Sequence, residues 1–380
     1  MRSTPFWLAL PAAVLVLIVA LLLIWRPLDR LSQEAPPVEE AAVESVRLTP
    51  GLISLDVRTD GSAPVSIAQV QVDTAYRLFT AKALSPGARL GLTRIDIAYP
   101  WVDGEAHHIA LVTSTGAVIE HSIDVATATP VLSGASLGLL AAVGLLLGAV
   151  PVATGLLTWP AMRSLSRPAM NFLLALTIGL LVFLLIDTIG EGLEAAAQTI
   201  GRLRGTVLFW VMLAITTLVL LAMGRAKGKA PEGLQLATFI ALGIGLHNFG
   251  EGLAVGAALA TGSAALATFL VIGFTIHNVT EGIGIAAPLA DERPRLVQFA
   301  GLAALAGLPA IAGTILGTQA VSPLWIAVCF GVGAGAILQV VIEVGALVVR
   351  RSGPGQWLSP PVAAGVSAGL AIMYGTALLV

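Results

Sequence analysis

Cysteine is almost missing from this chain: Cys329 is the single one, and it lies inside an apolar run. That excludes an intrachain disulfide and any multi-thiolate metal site within one chain. Charge is scarce as well, with Asp, Glu, Lys and Arg making up 11% of 380 residues against 57% hydrophobic ones, and a mean hydropathy of +0.92. This balance excludes an ordinary soluble domain and marks an integral membrane protein whose surroundings include membrane lipid. A net charge of -2 gives no argument for nucleic acid, and none is expected as a partner. The few charges sit in short segments between apolar runs, where a membrane protein keeps them.

What the chain has in abundance is apolar length. About 20 apolar residues cross the hydrocarbon core as a helix, and nine runs qualify: roughly 7–25, 134–157, 170–192, 206–224, 236–260, 265–289, 297–318, 323–349 and 360–379. The fold class expected is an all-α polytopic membrane bundle of eight helices over 131–380, plus an N-terminal transmembrane anchor over 1–30. The first run follows Arg2 and is followed by RPLDR without a small-x-small site, which favours an uncleaved anchor over a signal peptide.

Composition changes between the first and second runs. SQEAPPVEEA reads as a linker, set at 31–45, and VSIAQVQV, RLGLTRIDIAY and HHIALVTSTGAVIEHSIDV alternate with period two between DG, PG and STG turns. A small all-β domain, sandwich-like and spanning 46–130, is expected there. With that domain outside, the inner loops hold Arg163, Arg167, Arg225, Lys227, Lys229, Arg293, Arg295, Arg350 and Arg351, and the outer loops of the bundle only Arg202 and Arg204. The positive-inside rule therefore predicts a multi-pass protein of the cell (inner or plasma) membrane, with a cytoplasmic N-terminus and an extracytoplasmic β-domain and C-terminus at Val380.

Two of the runs are copies of each other. TFIALGIGLHNFGEGLAVGAALA from Thr238 matches TFLVIGFTIHNVTEGIGIAAPLA from Thr268 at a constant offset of 30. In each, His to Glu is an i,i+4 step on one helix face, about 6 Å apart, with Asn roughly 100° round. The short connection at 261–264 makes the helices antiparallel neighbours. Equal counting from that turn sets His247 level with His277 and Asn278, with Glu251 about one turn outward and Glu281 about one turn inward. A carboxylate at a helix centre costs on the order of 2.5 to 3.5 kcal/mol unless paired or hydrated. Two imidazoles and two carboxylates are a set that a divalent cation compensates, and nitrogen and oxygen donors without thiolate suit zinc, iron, manganese or nickel. Gly250, Gly252, Gly256, Gly282 and Gly284 would let helices approach closely around it.

HNFGEGLAVG and HNVTEGIGIAAPL resemble the fourth and fifth transmembrane helices of the ZIP divalent metal transporters, particularly the GufA-like bacterial branch, whose motifs read HNxPEG or close to it. The resemblance covers the eight runs of 134–380 and leaves out the first run and the β-domain. It implies inward transport of Zn2+, with Fe2+, Mn2+ or Cd2+ as alternative ions, through a site that is often binuclear. His247, Asn248, Glu251, His277, Asn278 and Glu281 match the family's ligand positions. The chain departs from the pattern at Gly250 and Thr280, which replace the motif prolines, and at Leu308, where a glutamate often precedes the proline. The second helix of the bundle also has leucine and valine where a methionine ligand can occur.

Other polar residues leave two readings open. Asp187, Glu191 and Glu194 form either a cation-collecting mouth or an ordinary solvated helix end. Glu343 resembles the carboxylate of the family's seventh helix along the inner pathway; its alternative is a helix–helix hydrogen bond. If HHIALVTSTGAVIEH is a hairpin turning near Ser114 to Gly116, His108 comes opposite His121, with Glu120 and His107 adjacent, as a capture site; exposed strand polars are the plainer reading. The function expected is transport, not enzymatic catalysis. The alternative is an intramembrane metal-dependent hydrolase, against which HNxxEG is not the HExxH arrangement. A metal-sensing receptor would lack a cytoplasmic output domain. A homodimer is left open.

Overall fold

The computed structural model describes residues 4–25, 39–61, 65–85, 90–131, 133–226, 228–260, 264–319, 322–353 and 358–378. Residues 31–38 of the expected linker, the 261–263 turn, Lys227 and Val380 lie outside them.

The β region holds eight strands: β1 Glu39–Thr49, β2 Leu52–Gly61, β3 Ile67–Val72, β4 Ala75–Arg77, β5 Phe79–Ala83, β6 Leu90–Ala98, β7 His107–Thr113 and β8 Val118–Ile123. β1 begins at Glu39, so 39–45, expected in the linker, are strand. The reason is pairing: Glu39 to Val43 lie in register against Val57 to Gly61 of β2, and a partner strand overrides weak local propensity. The strands form two antiparallel sheets, ordered β1-β2-β6-β5 and β4-β3-β7-β8. Alternate residues of both, including Leu55, Val57 and Ile95 from one and Val72, Ile109 and Leu111 from the other, fill one shared apolar core, as period-two alternation requires of a sandwich. Pro50-Gly51 turns β1 into β2, with Gly51 at φ +76°, the left-handed position a type II turn reserves for glycine.

The rest is helical. α1 (Thr4–Trp25) precedes the β region; after it come α2 (Gly134–Gly144), a π-turn over Leu145–Ala149, α3 (Val150–Leu156), α4 (Trp159–Met162), α5 (Arg167–Ala197), α6 (Gly205–Gly224), α7 (Gly233–Ala260), α8 (Ala264–Ala286), α9 (Leu296–Gly307), α10 (Pro309–Gly317), α11 (Pro323–Ser352) and α12 (Pro360–Ala377). Among the described residues seven stretches are long and apolar enough to cross a membrane: Gly134–Met162, Arg167–Ala197, Gly205–Gly224, Gly233–Ala260, Leu266–Leu289, Leu296–Gly317 and Pro323–Ser352. This is a multi-pass membrane architecture. The first and last of the nine expected runs are helices, α1 and α12, but are not among those seven.

α7 lies at the centre, packed on α8, α9, α10 and α11. Glycine makes this possible at two crossings in particular: a Cβ on Gly252 would strike the Ala310 carbonyl oxygen of α10, and one on Gly282 would strike the Val152 carbonyl oxygen of α3. Gly250 is different, since its Cβ would meet only the Phe330 ring at 3.8 Å, an ordinary contact. The β-sandwich sits at the end of the bundle where α7 finishes, tied there by a hydrogen bond from Thr129 Oγ1 to the Ala260 carbonyl (3.3 Å) and one from the Gly201 N–H to Glu40 Oε1 (2.6 Å).

Candidate metal centre

α7 and α8 run antiparallel and bring their repeated motifs together at mid-helix. His247 Nε2 lies 3.0 Å and His277 Nε2 2.6 Å from the same oxygen, Glu251 Oε1, while Asn278 Nδ2 donates to Glu251 Oε2 at 3.1 Å. A carboxylate acceptor requires an N–H on each of those ring nitrogens. His247, Glu251 and His277 are all buried, and each offers a ligand atom within 4.8 Å of the other two. Counting turns sets Glu251 apart from the histidines; the structure brings its carboxylate level with them. Side chains on a helix lean toward its N-terminus, so Glu251 reaches back along α7 toward His247, and His277 leans along the opposite helix to meet it.

The remaining motif residues divide. Asn248 Nδ2 donates to the Ala306 carbonyl (3.1 Å) and Asn278 Nδ2 also to the Leu147 carbonyl (2.9 Å). Both carbonyls lie at irregular backbone: Ala306 next to the break at Leu308 between α9 and α10, and Leu147 inside the π-turn. The asparagines thus brace neighbouring helices around the site. Glu281 is 3% exposed and neither of its oxygens has a hydrogen-bond partner; the Asn248 amide is within electrostatic reach, short of a formed bond. α7 and α8 continue unbroken through Gly250 and Thr280, where Thr280 Oγ1 donates back to the His277 carbonyl at 2.5 Å.

Three cavities are linked by shared lining residues, and two of them reach His277 of this cluster. A cleft of about 440 Å³ between the sandwich and the bundle is lined by Glu44 and His121 on one side and Glu191, Glu194 and Gln198 on the other. Glu191 and Leu270 also line a cavity of about 210 Å³ that holds Asp187 and reaches His277. His277 and Met373 in turn line a small void of about 10 Å³ beside Glu281, Thr177 and Thr280. Asp187, Glu191 and Glu194 therefore stand along a passage from the β-domain end to the cluster. Met373, from α12, was not singled out in the sequence, because an isolated methionine in an apolar run carries no pattern.

Toward the opposite end of the bundle a buried carboxylate meets an arginine. Glu343 on α11 is fully buried, and its Oε1 lies 2.7 Å from Arg225 Nη1, an ion pair not aligned as a hydrogen bond. Gln339, one turn earlier, is also fully buried with neither amide atom partnered. Its signal in sequence is the i,i+4 spacing from an intramembrane glutamate, which lies outside the repeated motif.

The β7–β8 hairpin differs from the expected register. His108 faces Ser122 and Ile109 faces His121, because the turn is a three-residue loop, Ser114 to Gly116, closed by Thr113 and Ala117 with Gly116 at φ +92°. A slip of one residue reverses faces in a strand of period two, so His108 points to solvent, and His121 points inward to the cleft. His107 is buried in the sandwich, its Nδ1 2.9 Å from Asp73 Oδ2 and its ring edge-on to Tyr99. Burial pushes the His121 imidazole below its ordinary pKa, which favours the neutral, ligand-competent ring.

The chain matches no protein-family model and no curated protein. The functional reading therefore rests on the site and on the resemblance of its motifs.

Proposed function

We propose that this protein carries a divalent transition-metal cation, zinc before iron, manganese or cadmium, across the membrane from the β-domain side. One observation carries the reading: two imidazoles and a carboxylate converge within 4.8 Å, buried in the middle of two membrane-length helices. Nitrogen and oxygen donors at that spacing suit zinc. Binding would take the two Nε2 positions now donating to Glu251, so metal loading shifts or releases protons. Glu281, a buried carboxylate without a hydrogen-bond partner, is costly by itself and is compensated by an ion.

The passage lined by Glu194, Glu191 and Asp187 supports loading from the cleft, and the Arg225–Glu343 pair supports a closed far side. Release requires the helices around the site to rock and open that side. The resemblance to ZIP transporters adds α12 as the eighth helix of the core and α1 as an anchor, and the basic loops add a cytoplasmic N-terminus with the β-domain outside, which makes the transport import.

Zinc uptake into proteoliposomes loaded with a fluorescent indicator tests this, with wild type beside His247→Ala/Glu281→Ala and with cadmium and manganese run in parallel. Saturable flux in wild type that vanishes in the variant is expected. Bound metal without flux in wild type would sink the carrier reading.

A further inference from the structure

Arg225 and Glu343 do not make the contact a structural salt bridge makes. In the sandwich, Arg94 meets Asp56 with two aligned hydrogen bonds, Nε to Oδ1 at 2.7 Å and Nη2 to Oδ2 at 2.8 Å. That geometry saturates both partners. In the bundle, Arg225 touches one oxygen of Glu343 at 2.7 Å out of line, and Glu343 Oε2 has no partner. Glu343 is fully buried while the Arg225 side chain is 40% exposed, held on the turn that follows α6. One partner is fixed inside and the other has a way out.

One turn along α11 from Glu343 is a second unsatisfied group. Gln339 lies one turn, about 6 Å, along α11 toward the metal centre, and its side-chain oxygen faces α7: a Cβ on Gly243 would sit 3.4 Å from it. Gly243 is one turn from His247 on α7, and Gly333 of α11 abuts His247 itself, where an added Cβ would be 3.4 Å from its Cα. The same helix pair thus runs from His247 past Gln339 to Glu343. A fully buried amide with neither atom bonded is destabilising, and packing alone gives no reason to keep it there.

We infer that Gln339 and Glu343 form a second cation position on the far side of the metal centre, and that Arg225 is its tethered counter-cation, filling it until a divalent ion takes its place. The guanidinium cannot lose its proton, so the charge it supplies is withdrawn only by moving the side chain. An arriving dication gains the Glu343 carboxylate and the Gln339 carbonyl oxygen, both now short of partners, and Arg225 moves to solvent. This builds on the carrier reading by giving the closed side a specific residue that closes it, but its test needs no flux.

Cadmium binding to the detergent-solubilised full chain is measured by equilibrium dialysis. Arg225→Gln is expected to bind an additional equivalent over wild type, to lose it again in Arg225→Gln/Glu343→Gln, and to keep it when His247→Ala and Glu251→Gln remove the first site. Arg225→Lys, which preserves the charge, should keep the wild-type stoichiometry. A folded Arg225→Gln protein with wild-type stoichiometry overturns the inference. If Arg225→Gln alone does not fold, the bare carboxylate is the cause only when the double variant folds and cadmium rescues the single one; failure of either overturns it too. The additional equivalent appearing while wild type shows no flux would count against the carrier and leave this assignment standing.

Discussion

In the sandwich, Asp56 receives two aligned hydrogen bonds from Arg94, and Asp73 receives one each from the His108 N–H and the Tyr99 hydroxyl and faces the His107 ring. In the bundle, Glu281 receives none and Glu343 one off-line contact. Apart from His107 Nε2, the buried side-chain atoms without hydrogen-bond partners among the described residues belong to Asn171, Asn248, Asn278, Glu281, Gln339 and Glu343, all helical. The β-domain is polar where polarity is satisfied and apolar where it is buried, as a domain selected to stay folded must be. Apart from Asn171 on α5, the bundle keeps its unsatisfied groups beside one centre and along α11, where buried polarity inside a membrane-length helix is costly.

The sharpest way to break this contrast is to remove the group at its centre. Glu251→Ala takes the common acceptor from His247 and His277, and zinc affinity should fall at least ~100-fold, since even outer-shell partners are worth about 10–100-fold; isothermal titration with zinc measures it. Unchanged affinity would mean that the imidazoles alone make the site.

Ile95→Ala cuts the shared core of the sandwich and should cost the β-domain about 2–5 kcal/mol. Limited proteolysis of the full chain should then cleave within 39–131 while cadmium binding at the metal centre survives. Loss of both together would show the two regions to be one cooperative unit.

Gly252→Leu forces a side chain onto the α10 backbone and should cost about 1–3 kcal/mol by overpacking, read as a lower Tm in detergent. The same change at Gly250, with only the Phe330 ring nearby, should cost less.

The smallest effect expected is a pH slope. Burial lowers the His121 pKa from 6.5, so its contribution to stability is present above the unfolded value and is lost as pH falls below it toward the folded one. For Asp56 and Asp73, burial pushes the carboxyls up and hydrogen bonds more than offset it, from Arg94 for Asp56 and from the His108 N–H, Tyr99 and His107 for Asp73. Their contribution is lost only as pH falls from about 3.8 downward. Acidification should therefore soften the β-domain in two stages by near-ultraviolet circular dichroism. His121→Gln should abolish the first and leave the second.

The seven membrane-length helices were legible because an apolar run has one cheap solution in lipid, and the two-sheet region because alternation has one cheap solution in water. His247, Glu251 and His277 were legible as neighbours from the repeat and the short turn between α7 and α8. The level of Glu251 was not, since counting turns ignores the lean of side chains toward the helix N-terminus. His121 was misplaced with His108 because one residue of loop length, invisible in composition, sets which face each strand residue takes. Met373 is a single residue without a partner in sequence, whereas Gln339 was legible only through its i,i+4 spacing from Glu343.

By itself, then, the chain determined seven segments long and apolar enough to cross a membrane, which segments alternate toward a β core, and which two helices carry the polar motif, because hydrophobic period and covalent neighbourhood are local properties of sequence. Only the tertiary structure decided that Glu251 joins both imidazoles, that the cavity reaching them shares its lining with a cleft under His121, and that Arg225 stands against Glu343. Apart from the one-turn His247–Glu251 step, those are contacts between residues tens to more than a hundred positions apart, fixed by helix crossings and strand register that only packing selects.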